Sequence, residues 1–341
     1  MVNITGSLSV SNSSTLNSIS APLLESIGDT FNINIATALE TLNFPELTSV
    51  GSINWLSLPQ LSALTFPQEV TNATNVVISD TGLTSLTGIN VQNVATFNIN
   101  NNKGLQAVTV GLQTVTNALS ISFNGNQVQA SFPDLLWANN ATFQDLSSIS
   151  LPNITAVNNS LGFVNNSIPG LSLPQLKTVG QSLFIVANDQ LTNISFPKLT
   201  TIGGGFQIAN NTDLNTIMGF PKVSSVGGAI DFVGNFSSAA LPALDVVRGG
   251  VDIESDNKNF NCSAWNQAHD NGDIQGNSYV CKAASSSTSV AITATGSSTG
   301  SSNAAAATTT SSSSKNAAPV AGVVQYGSVI GALFAFIVQF A

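Results

Sequence analysis

Few side chains in this 341-residue chain could carry out covalent chemistry. Its single histidine, His269, stands between Ala268 and Asp270. Nucleophilic catalysis needs a base beside a serine or cysteine, and His269 reads more simply as a surface loop residue. The acids are more suggestive. Asp189 and Asp213 fall at nearly matching positions of consecutive sequence repeats, with Asp231 following. Stacked repeats would bring the first two ~5 Å apart, the carboxylate separation of a retaining glycosidase. Aspartate is also a preferred turn residue, and turn acids fit the same pattern. Asp252, Glu254 and Asp256 alternate along the chain. They would share one strand face, where a calcium ion could bind. Gly203-Gly-Gly205 and Gly227-Gly228 are glycine-rich but open no helix, which argues against a phosphate loop. Two cysteines and one histidine do not make a zinc site. No catalytic residue, metal or cofactor is expected.

The elements that would position these residues come from an internal repeat. A unit of Phe or Leu, Pro, any residue and an aliphatic residue recurs as Phe44-Pro-Glu-Leu47, Phe132-Pro-Asp-Leu135, Leu173-Pro-Gln-Leu176, Phe196-Pro-Lys-Leu199 and Leu241-Pro-Ala-Leu244. Ala21-Pro-Leu-Leu24, Leu151-Pro-Asn-Ile154 and Phe220-Pro-Lys-Val223 are variants, Pro59 is out of register, and the landmarks degenerate near Gly88 and Gly111. Two polar residues follow, then Val or Ile, then often Gly, as in Leu176-Lys-Thr-Val-Gly180. A short alternating run such as Phe206-Gln-Ile208 comes next, and then Asn with an apolar residue three later: Asn102 and Leu105, Asn165 and Ile168, Asn188 and Leu191, Asn211 and Leu214. Alternation over three to five residues is a strand signal, and Gly, Asn and Pro punctuate turns. A coil of roughly 22 residues cannot bury its own apolar face and must stack on its neighbours. The expected fold is therefore all-β: a right-handed β-solenoid of about eleven coils with ladders of like residues. The recurring Asn should sit inside a bend and bond the backbone there.

Charged residues make up only 7% of the chain, against a typical ~25%. The net charge is −9 with no basic run, so nucleic acid is not an expected partner. A different solubilising coat is on offer. Asn-X-Ser/Thr sequons begin at Asn3, Asn12, Asn72, Asn140, Asn153, Asn158, Asn165, Asn193, Asn210, Asn235 and Asn261. They indicate a secreted, N-glycosylated chain. Asn12, Asn165, Asn210 and Asn235 lie close to the Asn ladder position, and an inward Asn cannot carry a glycan, so some of these sequons are expected to be empty. In an oxidising compartment Cys262 and Cys281 read as a disulfide. They lie in a segment that breaks the repeat after Phe260, and a closed cap there, with Trp265 against the last coil, would cover the solenoid end.

From Ala284 to Lys315 the chain is almost only Ser, Thr, Ala and Gly. Such a run cannot offset its ordering entropy and is expected to be disordered and O-glycosylated. Asn316-Ala-Ala318, a short spacer and the apolar run Gly327–Ala341 follow. A small triplet, spacer and apolar tail form a GPI-attachment signal with Asn316 as the ω residue and Ser312–Ser314 as alternatives. The apolar part is short for a membrane span and no Lys or Arg follows it. The start, Met1-Val-Asn-Ile-Thr-Gly, shows no basic or apolar signal-peptide region, yet the repeat is in register from Leu8. The expectation is a chain that begins inside its first repeat. The expected layout is a solenoid at 1–260, a disulfide cap at 261–283, a stalk at 284–316 and a GPI signal at 317–341.

With its Phe/Leu-Pro-X-Leu-X-X-Val/Ile-Gly units, Cys262/Cys281 segment, Ser/Thr stalk and apolar tail, the chain resembles the fungal GPI-anchored cell-wall organisation proteins. The resemblance covers essentially the whole chain. It implies a receptor-L-domain-like, leucine-rich-repeat-like solenoid, secretion, residence at the plasma membrane and wall, and a role in wall integrity. The sequence departs from that family in showing no signal peptide and no N-terminal cysteine-bearing cap. The resulting expectation is a non-enzymatic surface glycoprotein. Its expected partners are cell-wall polysaccharide or mannoprotein, with the plasma membrane reached through the lipid anchor. A GPI-anchored carbohydrate-active enzyme and an adhesin or receptor are the alternatives.

Overall fold

The computed structural model describes residues 2–284 apart from Asn126. The Ser/Thr-rich run from 285, the ω candidate Asn316 and the 317–341 signal lie outside the described residues. The chain forms a parallel β-solenoid of about eleven turns. One coil shows the logic. Strand Leu183–Val186 runs along one wall, the chain bends at Ala187, and Asn188 starts a turn closed by the Leu191 N–H donating to the Asn188 carbonyl at 3.0 Å. Strand Asn193–Ser195 forms the second wall. The Phe196-Pro-Lys-Leu199 turn, with Leu199 N–H donating to the Phe196 carbonyl at 3.2 Å, leads to Thr201–Ile202 and back to the first wall at Phe206–Ala209. Proline suits the second position of that turn because its φ is preset and its missing N–H is not needed there.

Among the described residues, nineteen strands build the long first wall and every pairing is parallel. Short sheets such as Ser18–Ser20, Thr41–Asn43 and Ala63–Thr65 build the second wall. Register stacks like on like: Val10, Ile33, Trp55 and Ile78 form one inward ladder, and Phe143, Phe163, Ile185 and Ile208 continue it. Where an aromatic precedes the proline it points inward and meets the ladder from the far wall, as when Phe44 contacts Phe31 and Phe220 contacts Phe206 with ring centres 5.1 and 4.9 Å apart.

Two columns fix the bends. Ten residues from Asn12 to Asn210 take the left-handed conformation at the same coil position, with φ between 52° and 60°. They include Ile35 and Phe123, for which this backbone is unfavourable. The next residue along is the ladder Asn. Asn188 Oδ1 accepts from the Asn166 N–H and Nδ2–H, each at 3.0 Å. Its own Nδ2 donates to the Phe163 carbonyl and to Asn211 Oδ1, each at 3.0 Å. Asn102 and Asn124 repeat the pattern, and Leu146 interrupts it. The expected Asn165 position is corrected by one residue. Asn166 points inward, while Asn165 occupies the left-handed bend and is exposed. The same offset leaves Asn12, Asn210 and Asn235 exposed, so the expected conflict between ladder and sequon does not arise. The second column is glycine. A Cβ on Gly203 would overlap the Gly180 carbonyl oxygen, and one on Gly227 would overlap that of Gly203.

After Phe260 the chain leaves the coil path. Helix Ser263–Asn271 crosses the end of the stack, ending on Gly272 at φ 86°. Trp265 is buried, meets Phe232 edge-on at 5.9 Å, and donates from Nε1 to the Ala239 carbonyl at 3.0 Å. Strand Tyr279–Ala283 then adds a last parallel rung on Val251–Ser255, and Cys281 is joined to Cys262.

Replacing Asn188 by Ala should cost about 2–4 kcal/mol, because several buried backbone partners lose their bonds together. Urea unfolding measures this, with exposed Asn193→Ala expected within about 0.5 kcal/mol of the parent. Gly203→Ala should cost more than about 2 kcal/mol, since the clash is with backbone and neighbouring coils must separate.

Candidate functional site

The inward residues of the long wall alternate with outward ones, because successive strand residues point to opposite faces. Three outward rows result; a short one runs through Thr30, Ser52, Asn75, Thr96, Ala118 and Asn140, and two long ones continue to the cap. One passes through Asn32, Asn54, Val77, Asn98, Ser120 and Thr142, then Gly162, Phe184, Gln207, Asp231 and Asp252. The other passes through Asn34, Leu56, Ser79 and Asn100, later through Val164, Val186, Ala209 and Val233, and ends at Glu254 and Lys282. Side-chain bonds run from rung to rung. Asn32 Nδ2 donates to Ser9 Oγ at 3.0 Å, Asn54 Nδ2 to Asn32 Oδ1 at 2.8 Å, and Ser79 Oγ to Asn100 Oδ1 at 2.6 Å. The N-terminal two thirds of these rows carries no charge. Charges enter in the last three rungs as Asp231, Asp252, Glu254 and Lys282, the last two paired with each other.

The acids expected from sequence separate into two groups. Asp189 and Asp213 do stack, with Asp213 N–H donating to the Asp189 carbonyl at 3.0 Å. Both lie on an exposed turn, and Asp189 Oδ1 accepts from Thr212 Oγ1 at 2.7 Å. They are turn acids that face no cleft. Asp231 is not with them. It stands on the outward face, where its Cα partner is Asp252, and Asp252 shares that face with Glu254 while Asp256 lies beyond the strand. The signal for the pair was present in the matching triplets Ile230-Asp-Phe232 and Val251-Asp-Ile253, which only the register shows to be neighbours.

Burial raises the Asp231 carboxyl above its ordinary range, opposed by the bond from Gln207 Nε2 at 2.7 Å. Burial also raises Asp252, with Glu254 and Asp231 adding repulsion and Lys282 opposing. Asp252 Oδ1 is buried without a protein hydrogen-bond partner. His269 is in the cap helix, stacked on Tyr279 with ring centres 4.4 Å apart, and both cysteines are in the disulfide. A cysteine–histidine pair is therefore ruled out. Among the described residues, no group of three His, Cys, Asp or Glu side chains is arranged to hold a metal ion. Gly203–Gly205 and Gly227–Gly228 serve close coil stacking. Cavities of about 260 Å³ under the cap, lined by Leu241, Trp265 and Asn271, and about 200 Å³ beside Phe66 and Gly88, contain no carboxylate pair.

No sequon falls on the two long rows, but Asn140 ends the short outward row beside them. Asn12, Asn165, Asn210 and Asn235 lie at or just after the bend, Asn153 in a proline turn, Asn193 on the second wall and Asn261 before the cap helix. Asn3, Asn72 and Asn158 precede the wall segment on which the rows lie, and Asn140 sits on the long wall one residue before the inward Ala141. Asn140 is half-buried and the other ten are exposed.

A capped parallel solenoid with a long, sparsely charged outward face is a repeat protein built to present a surface. No family model matches the chain, and no solved structure matches it. It is 43% identical over 293 residues to the cell wall mannoprotein PST1 of Saccharomyces cerevisiae, covering 86% of this chain and 66% of that protein. It is 38% identical over 282 residues to the protein ecm33 of Aspergillus fumigatus, covering 82% and 70%. It is 37% identical over 276 residues to the cell surface GPI-anchored protein ECM33 of Candida albicans, covering 80% and 67%. The chain belongs to this fungal family of cell-wall and GPI-anchored cell-surface proteins, and its place is the cell surface and wall. It spans about two thirds of the length of these relatives.

Because folding favours the protonated form of Asp252, its contribution is best below the ordinary carboxyl pKa and worsens as pH rises through the raised value. Asp252→Asn should therefore raise the melting temperature at pH 7 and leave it nearly unchanged at pH 3. An equal gain at both pH values would refute the burial argument.

Proposed function

We propose that this protein is a non-enzymatic surface glycoprotein that supports fungal wall organisation and integrity by binding wall polymers or surface proteins along the outward face of the long wall. The observation that carries the reading is that this face is sparsely charged, rich in hydroxyl and amide groups, and carries a single sequon, the half-buried Asn140, beside its two long rows. Glycans at the bends and on the second wall would leave the two long rows open, and Asn140 is the one site from which a glycan would reach them. The solenoid at 1–260 and the cap at 261–283 present the face, the 284–316 stalk holds it away from the membrane, and the 317–341 signal is exchanged for a GPI anchor at Asn316. Cell-wall polysaccharide and mannoprotein are the partners this placement favours. One observation favours a second reading as a carbohydrate-active enzyme: Asp231 and Asp252 are carboxylates on adjacent rungs with raised pKa values. A flat sheet with no cleft around them weighs against it.

The test uses the full-length gene product in a fungal host. Phosphatidylinositol-specific phospholipase C or wall glucanase should release it, and removing N-glycans should lower its mass markedly. Asn316→Pro should abolish surface retention. Purified protein should leave glucan and mannan uncut over a day, and cleavage lost in Asp231→Asn would favour the enzyme instead.

A further inference from the structure

Phe184 is the one aromatic side chain on the two long outward rows among the described residues. It is half-buried and sits between two unlike neighbours. On one side Gly162 offers no side chain: a Cβ there would lie 3.9 Å from Phe184 Cδ2 and 4.0 Å from Thr142 Cγ2. Gly162 is itself buried, so Phe184 and Thr142 close over it and the Phe184 ring stands as an apolar step on the row. Val164, Val186 and Ala209 extend the apolar surface in the adjacent row. On the other side come an amide and two carboxylates, Gln207, Asp231 and Asp252, with Asp252 Oδ1 lacking a protein donor.

The geometry points to a subsite for a neutral hexopyranose polysaccharide, with a sugar ring against the outer side of Phe184 and its neighbours along the chain bonding Thr142 on one side and Gln207 and Asp231 on the other. A pyranose has an apolar face that suits an aromatic ring and an equator of hydroxyl donors that suits acceptors in a row. Rungs repeat about every 4.8 Å, so a polymer laid along the row meets several rungs at once. Charge selects the class. Asp231, Asp252 and Glu254 repel an anionic polymer, and Lys282, the one cation on these rows, is held by Glu254. Burial of Asp231 and Asp252 disfavours their charged forms, which fits hydroxyl partners better than a polycation. The inference rests on the wall-polymer reading above and assigns it a place.

Purified full-length glycoprotein would be titrated calorimetrically with laminarin, yeast mannan, chitosan and polygalacturonate. Binding to laminarin or mannan is expected, weakened about tenfold by Phe184→Ala, as for loss of a single anchoring ring, and less strongly by Gln207→Ala, which removes a hydrogen-bonding neighbour. Gln129→Ala on the second wall should change nothing, and thermal melts would confirm that each variant is folded. If a neutral polymer binds and neither variant weakens it, this subsite is wrong although the wall-polymer reading stands. If neither neutral polymer binds, both fail. Preference for chitosan, lost in Asp231→Asn and kept in Phe184→Ala, would replace the stacking subsite with an ionic one.

Discussion

Each coil of this protein is too short to enclose a core of its own, so every apolar side chain is buried only because another coil lies above or below it. That constraint governs the rest. Stacking puts each strand in parallel register with its neighbours, turns single inward residues into ladders, and requires every bend to recur at the same place in every coil. The bends are the costly part, because they turn backbone polar groups inward where water cannot reach. The Asn column answers this. One side chain accepts from an N–H of the preceding coil, donates to a carbonyl of that same coil and donates to the Asn side chain of the next, so the bends hold one another in place, and strained residues such as Ile35 and Phe123 are kept left-handed by what surrounds them.

The functional surface is the other side of the same constraint. Inward positions are fixed by packing and cannot vary freely, but the outward residues of the same strands touch only their rung neighbours. The rows are consequently where the chain can differ from coil to coil. The N-terminal rungs carry amides and hydroxyls bonded to each other, and the later rungs carry an aromatic ring, small residues and acids. Acids on such a face pay a desolvation cost without gaining a fold-stabilising partner, as Asp252 shows. A residue kept at a stability cost on a presented surface is a reasonable place to look for a ligand.

The cap shows how the stack is stopped. The chain leaves the coil, crosses the open end with one helix, and returns to add a rung at Tyr279–Ala283. Trp265 fills the end of the inward aromatic ladder beside Phe232, and the Cys262–Cys281 bond joins the helix start to the final strand. An open sheet end would otherwise present unpaired strand edge and exposed core.

The repeat, its length and the inward character of the residue before each proline were legible in the sequence, because a ladder requires the same residue type at the same place in every coil. The Pro-X-Leu turn and the Gly column were legible for the same reason: turn and close-approach positions admit few residue types. The family resemblance rested on that periodicity and is matched by the relatives. What sequence alone left one residue adrift was the Asn ladder at Asn165 and Asn166, since two adjacent asparagines are equivalent until the left-handed bend decides which one turns inward. Coil lengths that vary, from 19 residues at one rung to 24 at another, also hid the pairing of Asp231 with Asp252 and drew attention to Asp189 and Asp213 instead. Only the tertiary register decides which outward side chains are neighbours, because that adjacency is set by hydrogen bonds between coils and not by distance along the chain.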